Sequence, residues 1–264
     1  MRKTRYHRHD RFPQNVADMI PNAADAARLS ELIGARRSVR DFLSDEIPSV
    51  LLNAVLEDAN GSPSWSNTQP YRIAIASGAL KEQLKGEPCA RFDAGIKALD
   101  GGMIGKLKTL LTRDGIPDGD FSTNFEYPKD LLPRRRATGF GLYRLLGIAR
   151  NDTAARKRQL RRNFEFFGAP TVMFIFVHKG LREFSVLDAG IFLQTLMLSA
   201  HARGLAACAQ GALATWAGPV KQAFKVPQDY KLICGLSIGY ASGHAVNQYN
   251  PGRGIVKELL IGRR

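Results

Sequence analysis

The chain has 264 residues, 44% of them hydrophobic and 23% charged, with a formal net charge of +14. Those proportions fit an ordinary soluble globular enzyme long enough to bury most of its apolar surface; no apolar run approaches the ~20 residues that cross a bilayer, so no membrane partner is expected. The three cysteines, Cys89, Cys208 and Cys234, are scattered and lack metal-ligand spacing, which points to a reduced, cytoplasmic chain without a disulfide framework or a metal site.

Residues 1–21 are polar, basic and aperiodic and read as a flexible arm; no apolar stretch follows Met1-Arg2-Lys3-Thr4-Arg5, so a secretory signal is not expected. Residues 22–264 read as a single domain. Asn22 is placed to cap a helix from Ala23 to about Gly34, with Asp25 in its first turn, where the dipole favours an anion. Pro48 suits the first turn of a second helix ending at Asn60-Gly61, with Val50, Leu51, Ala54, Val55 and Ala59 on one stripe. Alternation over Tyr71–Ala76 predicts a strand, and 79–112 reads as helical with a bend at Gly101-Gly102.

A long loop over 113–133 leads to two basic amphipathic helices near 134–147 and 153–166. Thr171–Val177 is a buried strand by its β-branched and aromatic content. Leu187–Arg203 is apolar nearly all round, as a central buried helix should be. A strand at 205–208, a helix near 216–225 and a strand at 232–240 complete an α+β, helix-rich order with one core.

The charge is concentrated. Residues 129–162 hold eleven Lys/Arg against Asp130 and Asp152, and residues 1–11 hold five basic residues against Asp10. Such patches bind polyanions, steer anionic ligands, or serve as solvated helix faces. No RNP, zinc-finger or helix-turn-helix signature accompanies them, so nucleic acid is not the expected partner.

Two short segments carry the chemistry. Arg36-Arg37-Ser38-Val39-Arg40-Asp41-Phe42 offers three guanidiniums and a hydroxyl, suited to a phosphate, although alone it also reads as an exposed charged turn. Ser62-Pro63-Ser64-Trp65-Ser66-Asn67-Thr68-Gln69-Pro70-Tyr71 is a proline-bounded loop of amides and hydroxyls, with Trp65 able to cover a planar ring; alone it also reads as a plain helix-to-strand connection. Gly235-Leu236-Ser237-Ile238-Gly239 satisfies the G-x-S-x-G pattern, with His244 nearby, but it sits inside a continuous apolar strand pattern and no helix follows, so a glycine-containing buried strand is the better reading. His7, His9, His178, His201 and His244 show no metal spacing, and no dinucleotide-binding or P-loop glycine pattern occurs.

The pairing of these segments resembles the FMN-dependent nitroreductase family, in which a P-S-x-x-N-x-Q-P-[WY] loop follows an R-[RH]-S-x-[RK]-x-[FY] motif at about this distance. Phe167-Gly168-Ala169-Pro170, Leu187-Asp188-Ala189-Gly190, Gly204 to Leu213, Gly239-Tyr240 and Arg253 extend the likeness over roughly 24–260, with 100–165 as the family's variable region. The resemblance implies a central mixed, mainly antiparallel sheet surrounded by helices, and a homodimer with FMN at the subunit interface. It places Arg36, Arg37, Ser38 and Arg40 on the cofactor from one subunit, Pro63, Ser64, Trp65, Asn67 and Gln69 from the other, and Arg253 on the phosphate. Gln210-Gly211 would lie beside the ring, with the Gly211 amide near N5, where a glycine lets backbone approach the cofactor.

The implied activity passes hydride from NAD(P)H through the flavin to an electron-poor acceptor, a nitroaromatic or a quinone, in ping-pong order and with no dedicated catalytic side chain. Many members carry Glu-Gly where this chain has Gln210-Gly211. The segment 113–166 falls where the family places a pocket-covering excursion, so its charge is expected to favour anionic substrates. Three alternatives stay open: a same-fold enzyme that reduces enones, dehalogenates or cleaves flavin; a flavin- or polyanion-binding protein without turnover; and a hydrolase built on Ser237.

Overall fold

The computed structural model describes residues 21–103, 111, 115–123 and 125–262. Nearly all of the expected basic arm, most of the expected helix beyond 103, and the start of the expected 113–133 loop lie outside the described residues. The chain divides into two compact units, Met1–Arg36 and Arg37–Arg264.

In the first unit, α1 spans Ala23–Ala35. Asn22 Oδ1 accepts the amides of Ala24 and Asp25, and Asp25 returns its carboxylate to the Asn22 amide at 3.0 Å, a reciprocal capping box.

The second unit is built on four strands, β1 (Tyr71–Ser77), β2 (Thr171–His178), β3 (Ala206–Gln210) and β4 (Tyr230–Gly239), in the order β1-β2-β4-β3. All three pairings are antiparallel. The mixed character expected of the sheet is confined to one isolated parallel bridge, Ser38 with Ala207, on the outer side of β3. The fully described α-helices of the second unit are α2 (Ser49–Asn60), α3 (Gly78–Asp100), α4 (Leu132–Leu145), α5 (Thr153–Arg161), α6 (Arg182–Ala202) and α7 (Gly218–Ala223).

Strand β2 is buried on both faces, which explains its unbroken apolar run. Met173, Ile175 and Val177 point to one side, where they meet Val55 and Ala59 of α2 and Phe192, Leu196 and Ala200 of α6. Val172, Phe174 and Phe176 point to the other, against Leu84 and Cys89 of α3, Phe164, Trp216 and Val220. Each such aliphatic or aromatic side chain contributes roughly 1.5–3 kcal/mol on burial. Helix α6 is long and apolar enough to cross a membrane by length and composition, but Asp188, Phe192, Leu196 and Ala200 turn one of its faces onto the sheet.

The structure corrects several expected boundaries. Pro48 precedes α2 as its cap residue, and Val50 is 80% exposed because the buried stripe runs through Leu51, Val55 and Ala59 instead. Helix α5 stops at Arg161, since the chain turns through left-handed Phe166 and Phe167 to bury both rings. The G-x-S-x-G pentapeptide lies within β4, with Ser237 fully buried. Its glycines are demanded by packing: a Cβ at Gly235 would meet Leu213 Cδ1 at 2.3 Å, and one at Gly239 would meet Pro170 Cδ at 2.5 Å.

Candidate functional site

Arg36 ends the first unit as the C-cap of α1, its amide donating to the Leu32 carbonyl. Arg37–Phe42 begins the second unit as a strap along the outer edge of β3. Val39 and Phe42 are its anchors, buried against Phe167, Ala169 and Cys208. Backbone fixes it at both ends: Val39 N donates to Ala207 O at 3.2 Å, and Phe42 N to Phe167 O at 3.3 Å. Between the anchors, Arg37, Ser38 and Arg40 stay partly exposed. The Arg40 guanidinium returns to the Ser38 carbonyl at 3.1 Å.

A second set of polar contacts holds the strap from outside. Asn247 Oδ1 accepts the Arg40 amide at 2.8 Å while its Nδ2 donates to the Asp41 carbonyl at 2.8 Å. The Asp41 carboxylate accepts from Arg162 at 2.8 Å and from the Ser242 hydroxyl. Burial pushes the Asp41 carboxyl up, but the Ser242 hydroxyl and the Arg162 guanidinium pull it further the other way, so the net position is below the ordinary carboxylate range.

The loop between α2 and β1 stores backbone strain. Ser66, Asn67 and Gln69 all have positive φ, of 48°, 54° and 47°. Non-glycine residues rarely adopt that region, and each costs of order 1 kcal/mol or more. Hydrogen bonds offset the cost. Asp188 on α6, only 3% exposed, accepts the Trp65 amide at 3.1 and 3.2 Å through its two oxygens. Ser64 Oγ accepts the Gln69 amide at 3.0 Å, and Gln69 Nε2 donates to Asn67 Oδ1 at 3.0 Å. Trp65 lies against Phe184 with ring centroids 4.4 Å apart and remains 56% exposed. Pro63 is exposed at the loop's entry. Where the loop enters β1, Tyr71 buries its hydroxyl without a hydrogen-bond partner among the described residues and packs its ring on Phe192 at 4.6 Å.

The sheet keeps these two segments apart within one chain. Ser38 bridges to Ala207, which pairs with Ile238, then Thr171, then Ser77, so the strap is level with the end of β1, four strand spacings away. The polar loop enters β1 at its opposite end, at Tyr71. With ~4.8 Å between strands and ~3.4 Å per residue, the separation is roughly 25–30 Å. Gln210-Gly211, in contrast, follows β3 along the same edge as the strap.

The Gln210 side chain is 3% exposed and fully engaged: Nε2 donates to the Asn163 carbonyl at 2.9 Å, and Oε1 accepts from Ser237 Oγ at 2.5 Å. It therefore offers only its backbone to a ligand. One donor and one acceptor are needed there, which an amide supplies and a carboxylate does not. Gly211 is exposed with ordinary φ, and a Cβ on it would meet nothing within 4 Å. Neither conformation nor packing inside the chain explains that glycine, whereas a planar group lying against its amide would. Arg253 stands on the exposed stretch 250–262, its guanidinium donating to the Gly252 carbonyl at 2.6 Å.

Sequence reasoning assigned no role to Asp188, Asp41, Arg162 or Asn247. Asp188 and Asp41 lay inside the recognised motifs. Asn247 had no signal, being a lone amide 207 positions from its partner. Burial pushes the Cys89 thiol up to about 11 and the Cys234 thiol up to about 12, so both stay protonated at neutral pH.

Residues 33–240 match the sequence model described as the nitroreductase family. A 4-nitrobenzoate reductase from Nocardioides sp. is 30% identical over 229 residues, covering 86% of each chain. One of the same name from Pseudomonas putida is 33% identical over 220 residues, 81% of this chain and 86% of that one. The crystal structure of the FMN-dependent nitroreductase NfnB from Mycobacterium smegmatis in complex with NADPH superposes with a TM-score of 0.77 at 32% identity, covering 92% of this chain and 100% of that one.

Two substitutions test this geometry. Gln210→Glu puts an acceptor opposite the Asn163 carbonyl and is expected to lose about 1–3 kcal/mol in urea unfolding at pH 7; unchanged stability would contradict the donor–acceptor reading. Asp41→Asn is expected to lose about 1–3 kcal/mol at pH 7. Because the Asp41 carboxyl sits below its ordinary value near 3.8, its contribution is complete above that pH and is lost as pH falls through the lower folded value. The gap in melting temperature between wild type and Asp41→Asn should therefore narrow below about pH 4; a constant gap would contradict it.

Proposed function

The chain belongs to the nitroreductase family, and from that premise we propose that it is an NAD(P)H-dependent FMN oxidoreductase that reduces nitroaromatic or quinone acceptors in ping-pong order. The observation that carries the reading is the edge of β3, where a strap of guanidinium and hydroxyl groups and an open glycine lie in line. That donor set suits a mononucleotide: Arg37, Ser38 and Arg40 would hold its phosphate and polar rim, Arg253 would add positive charge, and the Gly211 amide would meet the ring. FMN, when bound, supplies the redox chemistry, taking two electrons from NAD(P)H and handing them to the acceptor.

The chain's own residues position and polarise. Arg40 places a permanent cation where negative charge builds on reduction, which favours the reduced form. Asn247 fixes the backbone at Arg40 and Asp41, and the Ser38 carbonyl holds the Arg40 guanidinium, so that this charge would be in place before reaction. The loop Pro63–Gln69, held rigid by Asp188, offers amide and hydroxyl groups that would bond the ring's polar edge, with Trp65 covering its face.

The same geometry supports a homodimer. One subunit cannot lay both its strap and its own loop on one mononucleotide across roughly 25–30 Å of sheet, so each site would combine the strap of one copy with the loop of the other. Leu187, 59% exposed on α6, stands near exposed Phe184 and Trp65 and supplies an apolar surface for a second subunit. The names of the two 4-nitrobenzoate reductases support a nitroarene as acceptor.

The test is an absorbance spectrum of the purified protein with FMN, before and after NADPH, without oxygen. Loss of the flavin band, and its return on adding a nitroarene, is the expected result. A protein that takes up no FMN, or whose flavin NADPH leaves unchanged, would overturn the reading.

A further inference from the structure

The cations of the basic excursion divide into two groups. Arg134 pairs with Glu258, Lys157 with Asp100, Arg161 with Asp93 and Glu165, and Arg162 with Asp41. The other seven of the eleven, Arg144, Arg150 and Arg156 among them, have no carboxylate partner among the described residues. These three converge on one concave site of about 320 Å³ between α4 and α5, whose other walls are Phe140, Tyr143 and Ile148. The Arg150 guanidinium lies over the Phe140 ring at 5.4 Å and the Arg156 guanidinium over Tyr143 at 5.5 Å. Arg156 also donates to the Arg150 carbonyl at 3.3 Å, which ties the two walls together. No acidic residue lines the pocket. The nearest acid in sequence, Asp152, spends its carboxylate on the Ala155 amide at 2.8 Å to cap α5.

Three guanidiniums around two rings, with no anion supplied by the chain, complement a flat aromatic group that carries its own negative charge. The cations meet the charge in bidentate fashion while the rings cover the plane. The pocket's helix also touches the cofactor end. On another face of α4, Gly141 lies against Tyr249, where a Cβ would meet the phenol oxygen at 2.8 Å, and Tyr249 donates to the Thr138 carbonyl. Tyr249 follows closely on Asn247, which holds Arg40.

We propose that Phe140, Tyr143, Arg144, Arg150 and Arg156 form a binding subsite for a planar aromatic ligand bearing a carboxylate or phosphate. Two sources share that chemistry: an acidic aromatic acceptor, and the phosphorylated adenosine end of NADPH. The subsite's place in turnover rests on the oxidoreductase reading, but the binding site itself does not.

The experiment is calorimetric titration of the full-length protein as purified, whatever its flavin content, with benzoate and benzamide and with adenosine 2′-monophosphate and adenosine. The expected result is that a charged probe binds about tenfold or more tightly than its neutral counterpart. Arg144→Ala should abolish that preference, while Arg136→Ala, which removes the same charge from an exposed position of the same helix outside the pocket, should retain it. Preference for benzoate assigns the subsite to the acceptor, and preference for the nucleotide assigns it to the reductant; either supports the proposal. Equal binding of charged and neutral probes, or equal loss in Arg136→Ala and Arg144→Ala, would overturn it. Since no reduction is measured, failure here is distinct from failure of the flavin to bleach.

Discussion

The sheet order β1-β2-β4-β3, with every pairing antiparallel, sets the central constraint on this molecule. It puts the cationic strap on the outer edge of β3 and the amide-rich loop at the far end of β1, on diagonally opposite corners. Hydrogen-bonded strand spacing does not compress, so no side-chain motion brings the two together within one chain. A site that uses both has to be completed by another copy, and α6 carries an exposed apolar surface beside Trp65.

Strap and loop are each preorganised by buried or partly buried polar partners rather than by their own outward-facing groups. Strap and loop are both short, and neither would hold its shape alone. Asn247 closes a two-sided amide clamp on the strap, Asp41 ties it to Arg162 and Ser242, and Val39 and Phe42 bury beneath it. In the loop, three left-handed residues stand against the bonds that Asp188 and Ser64 make to backbone amides. Strain gathered in a polar loop held from a core helix is the pattern expected of a binding surface, where the ligand-facing atoms must be in place beforehand.

The strands and most helices were legible in the sequence because their signals are local. Thr171–His178 announces itself by β-branched and aromatic content, and the Asn22–Asp25 capping box lies within four residues. Boundaries failed where tertiary demands took over, as at Phe166 and Phe167, whose burial ends α5 early. The strap and loop were readable as motifs, but their supports were not. Asn247 and Arg162 reach the strap from more than 100 positions away. The engagement of Gln210 depends on Asn163, which carries no signature, and on Ser237, whose G-x-S-x-G pattern points to a different role. The charge of residues 129–162 was plain, but pairing with Asp41, Asp93, Asp100 and Glu258, which divides it into spent and unspent cations, is a property of the fold alone.

The sharing of one cofactor site between two copies is tested most directly by mixing two defective variants, Arg40→Ala in the strap and Asn67→Ala in the loop, each weak in FMN binding alone. After unfolding and refolding together, a mixed dimer would contain one site with both lesions and one with neither. The account predicts that the mixture regains FMN binding at up to about a quarter of the wild-type sites, as random pairing of two chains gives. If strap and loop of the same chain met on the cofactor, every site in the mixture would still carry a lesion, and no recovery at all would contradict the account.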